Sequence, residues 1–151
     1  MNTPLVIGYG NTLRSDDGAG VRAAELIRDR VPGVDVITVH ELQPELVDAI
    51  APRENVVFID AAVAVDAVTC RRIDAGLPAP PLASHLLTPG QLLALCASLY
   101  GTSPRNAALI EIPARIFDFG ESFSAIASTS VEQSVGILQS LLATWGWLPV
   151  S

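Results

Sequence analysis

Short apolar runs alternate along this sequence with segments whose apolar residues recur at helical spacing, and this alternation limits the possible folds most strongly. The clearest apolar runs cover residues 4–8, 56–59 and 107–112. Between them, residues 21–31 carry apolar side chains on one helical face, and residues 88–101 form an apolar segment that opens with Thr-Pro and stops at glycine. Strands that alternate with helices predict an α/β sandwich with a mostly parallel sheet and helices on both faces.

The weaker segments complete this prediction. Residues 34–39 read as a second strand, 44–50 as a short helix with proline in its first turn, and 67–73 as a strand at an edge of the sheet. Ser130 is predicted to cap the last helix. A chain of 151 residues fits one domain, residues 1–151, and a domain of this size can bury roughly 70% of its unfolded surface.

Composition excludes several classes of partner. The formal net charge is −7, and an acidic surface repels a phosphate backbone, so we expect no nucleic acid. No apolar stretch approaches the roughly 20 residues that a membrane span needs, and the N-terminus does not resemble a signal peptide. Two isolated cysteines, Cys70 and Cys96, suit a reducing compartment, so we expect a cytoplasmic protein.

The glycine-rich loop after the first strand permits a nucleotide-binding interpretation. Gly8 and Gly10 begin the dinucleotide fingerprint, and Glu41 after the second strand could bind a ribose. However, Leu13 replaces the third glycine, which is expected to block close packing of helix on strand. Two aspartates also follow where a helix N-terminus would otherwise meet a pyrophosphate. This interpretation is therefore disfavoured.

Three acidic residues stand out at the carboxyl ends of predicted strands. Asp16 and Asp17 precede the first helix; one can cap that helix while the other faces the cleft. Asp60 interrupts the apolar run 56–59 at its end, where a lone buried carboxylate is unfavourable. Asp60 either accepts hydrogen bonds from loop N–H groups or binds a metal. Because ligands bind at the point where strand order reverses, these carboxylates are expected to be neighbours in space.

The two histidines are the remaining candidate ligands. His85 lies in a loop just before the predicted helix at residue 88, and His40 closes the second strand and could substitute for it. Two carboxylates and one imidazole form a mixed site that suits nickel, zinc or iron. Spacing alone does not choose among these metals.

At these residues the chain resembles a known family. The motifs are Gly8-x-Gly10-Asn11-x-Leu13-x-x-Asp16-Asp17-Gly18-x-Gly20, then Val57-Phe58-Ile59-Asp60-Ala61, then Ser84-His85. They look like those of the hydrogenase maturation endopeptidases, which process the large subunit of NiFe hydrogenases. The resemblance runs from about Leu5 through the last helix.

The resemblance implies a fold, a site and a substrate. The fold is a three-layer sandwich of the phosphorylase/hydrolase-like type, with a twisted five-stranded sheet between helices. By position, Asp17, Asp60 and His85 are the metal ligands and the catalytic residues of an endopeptidase classified as aspartic-type. The substrate is the large-subunit precursor with nickel already inserted, and cleavage removes its C-terminal extension. Nickel is thus presented by the substrate, and no resident cofactor is expected.

Two departures from the family pattern bear on substrate choice. Many members have a glycine-rich stretch after the second strand, where residues 41–45 here read Glu-Leu-Gln-Pro-Glu. Late in the chain, Ser124-Ala125 stands where a Ser-Pro is frequent. We expect Asn11, Glu41 and Gln43 to contact the substrate and the protein to be a monomer. The alternatives are a precursor-binding chaperone that does not cleave, and a nucleotide-binding α/β enzyme.

Overall fold

The computed structural model describes residues 3–76 and 87–147. In these ranges one sheet contains the strands β1 (Leu5–Tyr9), β2 (Asp35–Val39), β3 (Asn55–Ala62), β4 (Thr69–Arg72) and β5 (Asn106–Pro113). The α-helices of these ranges are α1 (Ala19–Arg30), α2 (Val47–Ile50), α3 (Pro89–Tyr100) and α4 (Ala125–Thr144). The predicted α/β fold is confirmed.

The sheet has the strand order β2-β1-β3-β5-β4. Adjacent strands are parallel except for β4, which runs antiparallel to β5. The predicted edge position of β4 is therefore confirmed. The chain passes from β1 to β2 on one side and from β3 toward β5 on the other, so strand order reverses between β1 and β3. Ligands of open α/β sheets bind beyond the carboxyl ends of the strands at such a point.

Two hydrophobic cores cover the two faces of the sheet. Val57 and Ile59 pack with α1 and α4 on one face, whereas Val56 and Phe58 pack with α2 and α3 on the other. Successive strand residues point to opposite faces, so a strand covered on both sides must be apolar throughout. Burying each such side chain contributes roughly 1.5–3 kcal/mol. The end of β3 is therefore held firmly in place.

Helix α1 lies unusually close to the sheet because two glycines face each other there. A Cβ on Gly8 would overlap the backbone oxygen of Gly20, and a Cβ on Gly20 would overlap the backbone oxygen of Ile59. The sequence interpretation that Leu13 blocks this packing is wrong: the Leu13 side chain is 49% exposed and lies outside the contact. Gly20, seven positions later, is the residue that lets helix and strand approach.

The ends of α3 follow from local sequence. The Thr88 hydroxyl accepts a hydrogen bond from the Gln91 N–H, and the Gln91 side chain accepts one from the Thr88 N–H, which forms a capping box. At the other end Gly101 adopts a left-handed conformation with φ of 70°. Both predicted boundaries of this helix are confirmed.

Helix α4 begins earlier than the sequence indicated. Its cap is Ser124, whose hydroxyl accepts a hydrogen bond from the Ala127 N–H, and the predicted cap Ser130 lies inside the helix with 3% exposure. Ser130 faces the core beside Val131, so its position in the helix reflects packing. The helix has 20 residues, yet no helix in the described ranges is long and apolar enough to cross a bilayer.

Candidate functional site

Tyr9 and Asp60 lie side by side at the carboxyl edge of the sheet, where strand order reverses. Strands β1 and β3 pair in a register that aligns Gly8 with Ile59. Tyr9 follows Gly8 on β1 and Asp60 follows Ile59 on β3, so these two residues are neighbours. The sequence placed Asp60 at the end of its strand, but β3 continues to Ala62 and Asp60 is paired in register with Glu111 on β5. Alternation places these three side chains on the face covered by α2 and α3.

The environment of Asp60 disfavours its charged form. Burial raises the pKa of the Asp60 carboxyl to about 6, the hydrogen bond from the Ala61 N–H opposes this, and the negative charges of Asp17 and Glu111 add to it. The Tyr9 hydroxyl also donates a hydrogen bond that partly offsets the increase. Asp17 thus lies near enough to Asp60 for its charge to raise the pKa of the Asp60 carboxyl. A divalent cation between them would relieve this repulsion.

Tyr9 was not identified as a site residue from the sequence. Burial raises the pKa of its hydroxyl far above the usual range, and the neighbouring charge of Asp60 and the hydrogen bond to it act in the same direction. The hydroxyl therefore stays protonated and serves as a donor. The available signal was a residue with a polar tip at the end of an otherwise apolar strand.

Glu111 was also missed. It interrupts the apolar run 107–112, and this was the signal that could have identified it. Its carboxylate is half-buried and lies 3.5 Å from the guanidinium of Arg71 on β4. Thr69 on β4 is paired in register with Glu111 and lies on the same face of the sheet. Its buried hydroxyl has no hydrogen-bond partner among the described residues. A row of polar groups thus crosses four strands at this edge.

Asp17 is half-buried in the loop between β1 and α1. One carboxylate oxygen accepts a hydrogen bond of 2.8 Å from the Asn11 N–H, and the Asn11 side-chain oxygen accepts one of 2.9 Å from the Leu13 N–H. Gly10 makes this turn possible because its φ is 142° and a Cβ there would overlap the backbone oxygen of Asp17. The loop holds the Asp17 carboxylate against its own backbone.

Asp16 has a structural role that differs from the predicted helix cap. The N-cap of α1 is Gly18 and no side chain caps this helix, so the expectation that Asp16 or Asp17 caps it is wrong. Its fully buried carboxylate instead accepts hydrogen bonds from the N–H groups of Arg115 and Ile116 and from both N–H and hydroxyl of Ser124. Burial alone would raise the pKa of Asp16, but these bonds hold it below its usual value.

The same contacts leave few backbone donors for a phosphate. The N–H groups of Asn11, Ser15 and Asp16 are bonded to Asp17, to Gly120 and to the Ile116 backbone oxygen, respectively. Phosphate-binding loops need such N–H groups to point outward. This loop therefore does not favour the nucleotide-binding alternative.

The other predicted residues lie beyond the end of β2. Glu41 and Gln43 line a cavity of about 390 Å³ together with His40, and the Gln43 amide donates a hydrogen bond of 3.2 Å to the Glu41 carboxylate. His85 lies outside the described residues. Within residues 3–76 and 87–147, no group of three His, Cys, Asp or Glu side chains is arranged to hold a metal, so His40 does not substitute for it there.

Fold and site together define a three-layer α/β protein with carboxylates gathered at the switch point of its sheet. No protein-family model matches the chain. In sequence it is 29% identical to the hydrogenase expression/formation protein HoxM of Cupriavidus necator, over 97% of this chain and 77% of that protein.

Solved structures give the same result for the fold. The hydrogenase maturating endopeptidase HybD from E. coli superposes with a TM-score of 0.78 at 21% identity, covering 95% of this chain and 94% of that one. The hydrogenase maturation protease HycI from Thermococcus kodakarensis gives a TM-score of 0.69 at 22% identity, over 94% and 93% of the two chains. The chain therefore has the fold of the hydrogenase maturation proteases and resembles them along nearly its whole length.

Proposed function

We propose that this chain is an endopeptidase that removes the C-terminal extension of a nickel-loaded NiFe-hydrogenase large-subunit precursor. The observation that carries the proposal is the approach of Asp17 to Asp60 at the switch point, close enough for one charge to raise the pKa of the other carboxyl. Two neighbouring carboxylates are suitable ligands for a divalent cation. The relatives similar to this chain are named for hydrogenase maturation, which supports the substrate class.

His85 is the third proposed ligand. In sequence it stands three positions before Thr88, the cap of α3. The pair Ser84-His85 is one of the motifs by which the chain resembles the hydrogenase maturation endopeptidases, and this resemblance supports the proposed histidine.

In the proposed reaction, nickel is part of the substrate and the enzyme checks for it. The two carboxylates and the imidazole bind nickel that the precursor presents, which positions the scissile peptide. The bound ion can polarise a carbonyl or activate water, and a carboxylate can carry the proton. A precursor without nickel offers the site nothing to bind and is left intact.

Incubation with nickel-loaded and nickel-free precursor tests this function. Nickel-dependent loss of a short C-terminal peptide, measured by mass spectrometry of the intact large subunit, is the expected result. Stable binding of the precursor without shortening would instead identify a chaperone. Equal cleavage of both precursors would contradict metal recognition.

Variants test the proposed residues. Asp17→Ala, Asp60→Ala and His85→Ala should each abolish processing while the circular dichroism spectrum stays that of the folded protein. Asp29→Ala is the control, since this exposed carboxylate near the end of α1 lines neither the proposed metal site nor the cavity beyond β2. Normal processing by both Asp60→Ala and His85→Ala would rule out the proposed ligand set.

We propose that the cavity beyond β2 binds the polypeptide of the precursor. Glu41 and Gln43 line it, and the Asn11 N–H donates a hydrogen bond to Asp17 in the loop after β1. Glu41→Ala and Gln43→Ala should raise KM for the precursor while kcat stays within about twofold, because uniform binding contributes to KM alone. Asn11→Ala should lower kcat as well, because Asn11 also shapes the loop that holds Asp17. An unchanged KM for the first two variants would place the substrate elsewhere.

We further propose a cytoplasmic monomer. Cys70 and Cys96 are both free thiols, as is usual for proteins of reducing compartments. Light scattering should give a mass near that of one chain, 15.9 kDa. A stable mass of twice this value would show a dimer.

A further inference from the structure

Tyr9 and Asp60 are neighbours on the adjacent parallel strands β1 and β3 with their side chains on the same face of the sheet, and the Tyr9 hydroxyl lies near enough to act as a donor toward the Asp60 carboxylate and lower its pKa. The register of β1 and β3 makes this contact possible, since Gly8 pairs with Ile59 one step earlier. The Tyr9 ring packs against the core between the sheet and the helices α2 and α3. The tyrosine is thus held by packing at one end and reaches Asp60 with its polar end.

Asp60 receives a second donor from its own strand. One of its oxygens, Oδ1, accepts a hydrogen bond of 2.8 Å from the Ala61 N–H. An ionised carboxylate has about four acceptor positions, so two donors fix its orientation and leave lone pairs for a cation. A tyrosine hydroxyl is protonated at neutral pH and adds no charge, so it can orient the carboxylate without neutralising it.

Orientation matters for a carboxylate that has acidic neighbours. Glu111 is paired in register with Asp60 on one side, and Arg71 lies 3.5 Å from Glu111. Without the Tyr9 hydroxyl, the Ala61 N–H alone would restrain the rotation of the Asp60 carboxylate beside these charges. Partners that hold a metal-binding carboxylate typically contribute 10–100-fold to metal affinity or activity.

We propose that Tyr9 is a positioning residue, which orients the Asp60 carboxylate toward the metal that the substrate presents. The inference rests on the proposed function. It predicts that Tyr9→Phe, which keeps the packed ring and removes the hydroxyl, weakens binding of Ni²⁺ alone by roughly 10–100-fold. In processing assays kcat should fall while KM for the precursor stays within about twofold, because the surface that binds the polypeptide is unchanged.

The chain offers a matched control. Tyr100 near the end of α3 also donates its hydroxyl to an aspartate, Asp48, but both side chains are exposed and belong to no part of the site. Tyr100→Phe should leave Ni²⁺ affinity and kcat within about twofold of the wild type. Equal Ni²⁺ affinity for Tyr9→Phe and wild type overturns the positioning role.

A double-mutant cycle tests the contact without any metal. Tyr9→Phe should lower the Tm of the wild type by roughly 2–4 °C and have little effect in an Asp60→Ala background, because the bond is already lost there. Additive shifts would show that Tyr9 does not act through Asp60 and would overturn the inference. A wild-type protein that neither binds Ni²⁺ nor processes precursor contradicts the proposed function itself, whereas an active wild type with an unchanged Tyr9→Phe variant contradicts only the role of Tyr9.

Discussion

The carboxylate of Asp16 accepts two hydrogen bonds from Ser124, one from its N–H at 2.7 Å and one from its hydroxyl at 2.6 Å. The N–H groups of Arg115 and Ile116 donate to the same carboxylate at 2.8 and 3.0 Å. One buried side chain therefore joins the loop before α1 to the segment that leads into α4. Because Asp17 is the next residue, this junction also determines where the proposed metal ligand lies.

Replacing Asp16 by alanine should lower the free energy of unfolding by about 3 kcal/mol or more. Four donors would lose their acceptor, and each unsatisfied buried donor costs about 1–3 kcal/mol. Urea unfolding measures the change. Asp118→Ala is the control, because its side chain is exposed in the same segment and its removal should stay within about 0.5 kcal/mol. A loss of only about 1 kcal/mol for Asp16→Ala would match a simple helix cap instead.

The lowered pKa of Asp16 predicts a loss of stability in acid. A carboxyl whose pKa is lower in the folded state stabilises the fold above its unfolded pKa of about 3.9, and this contribution is lost as pH falls through the folded value. The Tm should therefore decrease as the pH is lowered below about 4. Asp16→Asn removes the titrating group, so its Tm should start lower and decline less over the same acid range. Parallel pH profiles for the two proteins would contradict this assignment.

Asp60 predicts the opposite pH dependence. Its pKa is raised to about 6, chiefly by burial, so its ionisation works against folding. This penalty is absent below the pKa of the unfolded state and complete above the pKa of the folded state. Between these two pKa values the stability falls as the pH rises. Asp60→Asn should raise the free energy of unfolding by about 2–3 kcal/mol at pH 8, with the gain fading from pH 6 to pH 4. Asp29→Asn, an exposed change on α1, should give no such gain.

The close contact of α1 with the sheet predicts contrasting effects of two glycine substitutions. Gly20→Ala would place a Cβ against the backbone oxygen of Ile59, so the helix must shift. The free energy of unfolding should fall by about 2–3 kcal/mol. Gly136→Ala in α4 meets no atom within 4 Å and lies at an exposed position. It should stabilise the protein by about 0.5–1 kcal/mol through helix propensity. Similar unfolding midpoints for the two variants in urea would contradict the packing argument.

The described parts of the chain show which features local sequence can determine. Helix α3 was predicted at both ends because its cap, Thr88, and its stop, Gly101, act on atoms within a few residues. The strands were predicted because a buried strand must be apolar, and Asp60 stood out by interrupting such a run. The start of α4 was missed because Ser124 and Ser130 are equally good caps in isolation.

By itself, the sequence determined the alternation of strands and helices and the edge position of β4. It also singled out Asp17 and Asp60 as unusual carboxylates. Only the tertiary structure decided what these carboxylates touch. Tyr9 and Glu111 flank Asp60 through strand pairing, and Asp16 binds donors 99 to 108 positions away. Helix and strand periodicity arise from contacts between near neighbours along the chain. The partners of a buried charge depend on which distant segments the fold brings together, and no local pattern records them.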